Sequence, residues 1–395
     1  MTIIHISTDY PDSFNPDKTS AIKNLLDATA SKHDHFVYSL NRTDISPIKV
    51  GLGKLLPSRV AGKIESLSDN PKMISLSYEA PSRGIFLKSS MIALADHIAG
   101  DIARRNLRPK LVQGHKISME GIIAYHVAQK LGIPYALSIQ GNSDRSILNV
   151  RRDLWPLYRR IFHEAAVVFP FTPWALAYLE QRFGKRKGET VLLPCITRQD
   201  KILAPAMAEN RIVSAFNLKH WRLKNLPALI RGADYVAGKV DDFSLDIFGG
   251  GDAADVAIVQ SWAASADHAT IRLPGAVASA QIQREMNKAA GFTMVSHKES
   301  YGMVFVEALL AGCPVVYPAN AAIDGYFDDH DFAIPVPAKN QTAINEAMLR
   351  LLRDQQQLKS ALARWQQSGE AAFFQKRQIA ASYAKGLKAA IGRGK

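Results

Sequence analysis

The sequence predicts an α/β protein of two parallel-sheet domains, and three observations carry that prediction. Its 395 residues exceed what one ordinary hydrophobic core encloses, so two domains are expected. Short apolar runs bounded by turn residues alternate with stretches of helical periodicity through both halves. Residues 291–320, GFTMVSHKESYGMVFVEALLAGCPVVYPAN, read as strand, loop, helix and strand, which is one turn of a parallel sheet.

Composition bounds the function. With 47% apolar and 22% charged residues the chain is of globular type, and no apolar run approaches the ~18 residues of a membrane span. The opening MTIIHIST lacks a basic segment followed by a long apolar one and reads as a first strand, not a signal peptide. Cys195 and Cys313, both in apolar contexts, give no disulfide framework and point to a reducing compartment. The net charge of +13 lies mostly in residues 1–200, where 27 Lys/Arg face 18 Asp/Glu. Such a surface suits an anionic membrane or a phosphorylated substrate. Without zinc-finger spacing or an aromatic RNA-binding motif, nucleic acid is not expected as a partner.

Residues 2–8 form the first strand, and DYPDSFNPDKT at 9–19 is a Pro-, Asp- and Asn-rich loop in which Lys18 carries positive charge. Ile22, Leu25 and Leu26 share one face of a helix over 20–30, and 35–39 is a further strand. Residues 47–110 set basic side chains (Lys49, Lys54, Arg59, Lys63, Lys72, Arg83, Lys88, Arg104, Arg105, Arg108, Lys110) among apolar ones (Val50, Leu52, Leu55, Leu56, Val60, Ile85, Phe86, Leu87). That interleaving fits either a face lying on an anionic membrane or ordinary helices whose lysines snorkel, and Arg151, Arg152, Arg159 and Arg160 around Trp155 and Tyr158 repeat it. A strand at 110–113 leads to Gly114-His115-Lys116, a helix at 119–131, a strand at 135–139, and a loop Gln140-Gly141-Asn142-Ser143-Asp144. Both loops follow strand ends, where ligands enter an open α/β sheet. A strand at 165–169, a helix started by Thr172-Pro173, and a strand at 191–194 complete the first half, and the crossing to the second domain falls between Pro194 and Arg211.

The second domain opens with a strand at 212–216, a loop holding Asn217, Arg222 and Lys224, and a helix from Pro227. A strand at 244–248 ends in Gly249-Gly250-Gly251, a turn that lets the backbone pack near a nucleotide but is no dinucleotide fingerprint. After a strand end at 271–275 and a helix at 280–290 comes the 291–320 unit. Its strand at 292–295 is followed by the polar loop 296–302, a helix at 303–310 and a strand at 313–317, with Gly312 and Pro314 ending the helix. A helix start presents free N–H groups and a positive dipole end to that loop, a setting for phosphate, and Gly302 between Tyr301 and Met303 allows close approach. Glu299 and Glu307 bracket the same helix start. Carboxylates there would repel an anion, so their task is to accept hydrogen bonds from sugar hydroxyls, and the site reads as one for a nucleotide sugar. The Asp-x-Asp at 329–331 reads as a solvated loop, and no metal site is expected. Residues 340–395 are helical and charged.

The Glu-x7-Glu spacing, the Tyr-Gly pair, Glu-Ala-Leu and Gly-x-Pro-Val-Val together resemble the signature of the retaining glycosyltransferases of family 4, which have the two-domain GT-B fold. The run of strand, His115, helix, Lys-Leu-Gly-Ile-Pro-Tyr, strand and Gln-Gly-Asn resembles the centre of that family's N-terminal domain. The resemblance implies two Rossmann-like domains facing across a cleft, 1–200 on the acceptor side and 201–370 on the nucleotide-sugar side, with a C-terminal helix in 371–395 crossing back. It implies that His115 lies by the transferred sugar, that Gly141 to Asp144, including Asn142, face the cleft, that Lys224 reaches the donor's phosphates, and that Glu299 and Glu307 hold sugar and ribose. The family carries an Arg where Asn217 stands, and Arg222 is the nearby charge. It also carries a Gly pair in the first loop, which this chain lacks. The implied reaction is metal- and cofactor-independent transfer of a hexose, with retention, from a nucleoside-diphosphate sugar to a glycan or lipid-linked hydroxyl in polysaccharide or lipopolysaccharide assembly. The cysteines point to a cytoplasmic location, and the basic 47–110 stretch, on its membrane reading, to the inner membrane face. An epimerase or phosphorylase on the same scaffold, or a sugar-nucleotide binding protein that has lost catalysis, are the alternatives.

Overall fold

The apolar first segment, β1 (Thr2–Ser7), pairs in parallel with β2 (Asp34–Asp44) on one side and β5 (Leu111–Gly114) on the other, so it lies inside a sheet and not at its edge. Residues 1–45, 64–81 and 84–392 are described by the computed structural model. The chain forms two units, one of Met1–Cys195 with Arg377–Lys395 and one of Ile196–Lys376.

The first unit carries an eight-stranded sheet of order β3-β4-β2-β1-β5-β6-β7-β8, adding β3 (Ile64–Asn70), β4 (Met73–Ala80), β6 (Tyr135–Ile139), β7 (Val167–Pro170) and β8 (Glu189–Thr190). Among the described residues every pairing is parallel except the β3–β4 hairpin. Helices α1 (Ala21–Asp27), α2 (Leu87–Arg104), α3 (Glu120–Leu131), α4 (Asn142–Val150), α5 (Trp155–Glu164) and α6 (Pro173–Phe183) connect these strands. Their apolar stripes meet the sheet: Met91, Leu94 and Ile98 of α2, and Ile122, Ile123 and Val127 of α3, are all buried with Ile4, Ile6 and Val112.

The second unit carries a six-stranded parallel sheet of order β11-β10-β9-β12-β13-β14. Its strands are β9 (Arg211–Ala215), β10 (Ser244–Phe248), β11 (Thr270–Gly275), β12 (Gly291–Thr293), β13 (Val315–Pro318) and β14 (Ala333–Val336). Helices α7 (Leu226–Ala237), α8 (Ala253–Ala263), α9 (Ser279–Asn287), α10 (Met303–Leu310), α11 (Gln341–Arg353) and α12 (Gln355–Gln367) accompany it. Phe292, Phe305, Leu309 and Val315 are fully buried, so the apolar content of residues 291–320 goes into this core. The last helix, α13 (Lys376–Gly392), leaves the second unit and packs in the first. There Tyr383 donates to Gln113 Oε1 at 2.5 Å, and its ring meets Phe169 edge-on at 5.0 Å.

Local departures from the sequence reading have physical causes. Residues 140–144 are not all loop, because α4 begins at Asn142, on polar residues that precede its first apolar one. The last strand of the first sheet is Glu189–Thr190, ahead of the expected 191–194. Strand β14 was not anticipated. In the basic stretch 47–110, Lys49, Val50, Leu52, Lys54, Leu55, Leu56, Arg59, Val60, Lys63 and Arg83 lie outside the described residues. Of the rest, Leu87 is buried in the core, Arg104 and Arg105 pair with Asp101, and Lys72 pairs with Asp34.

Candidate functional site

In the second unit the strand order reverses between β9 and β12, the place where open parallel sheets receive ligands at their carboxyl ends. The loops after these two strands are stitched together. Asn225, held at φ +58°, donates from Nδ2 to Val295 O, and the His297 amide donates to Leu223 O at 2.9 Å. The stitching brings Lys224 Nζ to 2.6 Å from Glu299 Oε2, with only 17% and 15% of the two side chains exposed. Asn217 is exposed and caps a short 3-10 turn, its side chain accepting from the Lys219 amide. Arg222 is exposed, with its guanidinium 4.6 Å from the Trp221 ring centre. Gly250 accepts the Leu218 amide, while Gly249 sits so tightly that a Cβ would lie 1.8 Å from Phe216 O.

Gly302 caps α10 at φ +70°, a conformation that favours glycine. A Cβ there would meet the Phe305 ring at 2.6 Å and Glu299 Cγ at 3.1 Å, so Glu299 lies against the helix start. Met303 opens the helix half-buried, and Tyr301 is buried with its ring edge-on to Tyr326. Glu307, one turn inside, accepts the Arg198 amide at 2.9 Å. Burial raises its pKa against the pull of the Arg198 and Gln199 amides. The second glutamate thus holds the chain where it enters this unit.

In the first unit the order reverses between β1 and β5, and a buried charged cluster fills the loops after them. Lys116 Nζ donates to Thr8 Oγ1 at 2.8 Å and Asp9 Oδ1 at 2.7 Å. Glu120 Oε1 accepts the Thr8 amide and hydroxyl, and burial raises the Glu120 pKa to about 7 although Lys116 opposes it. Asp144 is buried, accepts the Ser118 amide at 3.0 Å, and is likewise raised by burial; Asn142, two residues before it, is half-buried. Lys18 is tied down by Asp12, Ser39 and Leu40 O, so it is the brace of its loop.

His115 is the residue that the resemblance implies lies by the transferred sugar. It is fully buried, with Nε2 3.1 Å from His5 Nδ1 and Nδ1 3.3 Å from Ser138 Oγ. The chain continues from His5 Nε2 to His35 at 2.8 Å and from His35 to the Thr29 hydroxyl at 3.0 Å. Burial lowers the His115 pKa to about 3, with His35 and Lys116 adding to it. Both imidazole nitrogens are engaged inside the unit, which leaves none for a sugar in this conformation.

Residues 196–371 match the family model of glycosyl transferases group 1. The match runs along nearly the whole second unit. Both units together have the two-sheet architecture of GT-B glycosyltransferase structures. The sucrose-phosphate synthase of Thermosynechococcus elongatus superposes with a TM-score of 0.67 at 16% identity, covering 98% of each chain. A lipopolysaccharide outer core galactosyltransferase in its apo form superposes at 0.63 and 11% identity, covering 98% of this chain and 99% of that one. The α,α-trehalose 6-phosphate synthase of Burkholderia multivorans gives 0.63 and 10% identity over 100% and 99%. No curated protein sequence matches the chain. At these identities the solved structures speak for the fold.

Reasoning from sequence missed Lys116, Glu120 and Asp9 as a cluster. The available signal was a Lys and a Glu four residues apart at a strand-to-helix junction. Asp331 is paired with Arg350 at 3.3 Å, and among the described residues no group of three or more His, Cys, Asp and Glu is gathered to hold a metal ion.

Proposed function

We propose that the chain is a retaining glycosyltransferase of family 4 type. It moves a hexose from a nucleoside-diphosphate sugar to a hydroxyl of a glycan or lipid-linked acceptor, in polysaccharide or lipopolysaccharide assembly. The observation that carries this reading is the Lys224–Glu299 pair at the strand-order reversal, lodged against the Gly302 helix start. The group 1 match over the same unit agrees with it. An ammonium and the amide end of α10 neutralise the charge that builds on a departing diphosphate. Glu299 accepts from the donor sugar, and Glu307, which also takes the Arg198 amide on Oε1, accepts from the ribose. The acceptor hydroxyl attacks the anomeric carbon from the face the diphosphate leaves. Its proton passes to the departing phosphate oxygen, so no side chain is needed as base and no metal or cofactor enters. Arg222 and Gly250 border the nucleotide, and Asn217 caps its loop in place of the family arginine. His115 stays out of the substrate contacts and braces the loop that carries Lys116.

The acceptor is proposed to lie on an anionic membrane at its inner face. Exposed Arg152, Arg159 and Arg160, with Val150 64% exposed beside them, support this. Among the described residues no helix is long and apolar enough to cross a membrane. A second reading, a sugar-nucleotide binding protein without transfer, is favoured by the burial of His115 and the loss of charge at Asn217.

A thermal-shift panel of UDP, GDP, ADP and TDP sugars tests the proposal, because a ligand bound only to the folded state raises Tm by mass action. One nucleotide series is expected to stabilise the chain and to donate its sugar. If none does, the donor reading is overturned; stabilisation without transfer to any glycan or lipid acceptor selects the binding protein.

A further inference from the structure

In this structure the two charged groups assigned to the donor neutralise each other. Lys224 Nζ and Glu299 Oε2 are 2.6 Å apart and mostly withdrawn from water, so the pair is screened far less than a surface ion pair. The pair is built in and not a chance meeting of long side chains. The Lys224 amide donates to His220 O at 2.9 Å, the Glu299 carbonyl accepts the Ala322 amide at 3.1 Å, and Glu299 Cγ is packed against the Gly302 turn.

This arrangement makes the site's affinity depend on what the diphosphate carries. A diphosphate that takes Lys224 strips Glu299 of its counter-charge and places a second anion beside it. A half-buried carboxylate left without a partner is costly. When the diphosphate bears a sugar, the sugar hydroxyls donate to Glu299 and restore what the lysine gave. A bare nucleoside diphosphate offers no such donor. We infer that the Lys224–Glu299 pair is a discriminator that admits a sugar-bearing nucleoside diphosphate and expels the bare one. The inference rests on the donor site proposed above and adds to it the release of the product. Once the sugar has left, Glu299 loses its hydroxyl partners, re-forms its bond to Lys224, and drives the nucleoside diphosphate out.

Calorimetric titration of a nucleoside diphosphate and its sugar conjugate into wild type and Glu299→Gln tests it. Glutamine keeps an acceptor for the sugar but removes the charge. The expected result is that bare nucleoside diphosphate binds Glu299→Gln about tenfold more tightly than wild type, while the conjugate changes by only about threefold. Glu299→Ala is expected to tighten the bare diphosphate in the same way, which keeps the test open should one variant fold poorly. Lys224→Ala weakens both ligands. Equal or weaker binding of the bare diphosphate to both Glu299 variants, with wild type binding both ligands, overturns the discriminator alone. If wild type binds neither ligand, the donor site falls and takes the discriminator with it.

Discussion

His5 and His115 lie stacked at the centre of the first unit, with ring centroids 5.3 Å apart, planes 26° from parallel and facing nitrogens 3.1 Å apart. Both are fully buried, and with His35 they form a line of imidazoles in which a charge on one is opposed by burial and by its neighbours.

A pH dependence of stability follows, and its sign is fixed. All three pKa values are depressed in the folded chain, to about 4 for His35 and about 3 for His115, so below the ordinary value of 6.5 the unfolded chain binds more protons. Stability is full above pH 6.5 and is lost as the pH falls toward 4. Melting temperatures across that range are expected to drop steeply, and to drop less in His115→Gln. A flat profile in wild type would contradict the buried triad.

Glu120 acts in the opposite sense. Its folded pKa of about 7 stands above the ordinary carboxyl value, so its contribution is present at low pH and lost as the pH rises through 7. Glu120→Gln keeps the Oε1 acceptor for Thr8 without the buried charge. It is expected to raise Tm at pH 8 and to converge on wild type near pH 5, by differential scanning calorimetry. A lower Tm at pH 8 would show that the Lys116 partnership outweighs the burial.

Gly249 and Gly302 differ in what a methyl group would do. At Gly249 the obstacle is the Phe216 carbonyl at 1.8 Å with φ +149°, so Gly249→Ala is expected to cost about 3 kcal/mol or more in urea unfolding. At Gly302 the neighbours are the Phe305 ring and Glu299 Cγ, so Gly302→Ala is expected to leave the chain folded and weaken donor binding. Unchanged donor affinity in that variant would separate Glu299 from the donor.

Tyr383 ties the last helix to the first sheet through Gln113 at 2.5 Å in a fully buried setting. Tyr383→Phe leaves that carboxamide oxygen unsatisfied and is expected to cost about 1–3 kcal/mol by denaturant titration. A loss well under that range would mean that ring packing against Phe169, not the hydroxyl, anchors the helix.

How far the sequence could be read depends on whether its signals were local. The helix Met303–Leu310 was legible to the residue because Gly302 and Gly312 both hold positive φ at its ends. The parallel order was legible from alternating apolar runs. The β3–β4 hairpin was not, since its strands IESLSDN and MISLSYEA carry no continuous apolar run and lie among lysines and arginines. The burial of His115 was illegible for a different reason: its partner His5 is 110 residues away, and nothing near His115 announces it. Likewise Lys116 and Glu120 find Thr8 and Asp9 only through the adjacency of β1 and β5. Elements follow from neighbours in sequence, whereas side-chain partnerships follow from sheet order.

The central claim is that Lys224, at the reversal between β9 and β12, receives the diphosphate of a sugar donor. Its most direct measurement is calorimetric titration of the stabilising nucleotide sugar into wild type and Lys224→Ala, with both proteins shown to be folded by their melting curves. Loss of one charge-assisted contact to phosphate is expected to weaken binding about tenfold or more in the variant. Equal dissociation constants for the two proteins would contradict the account.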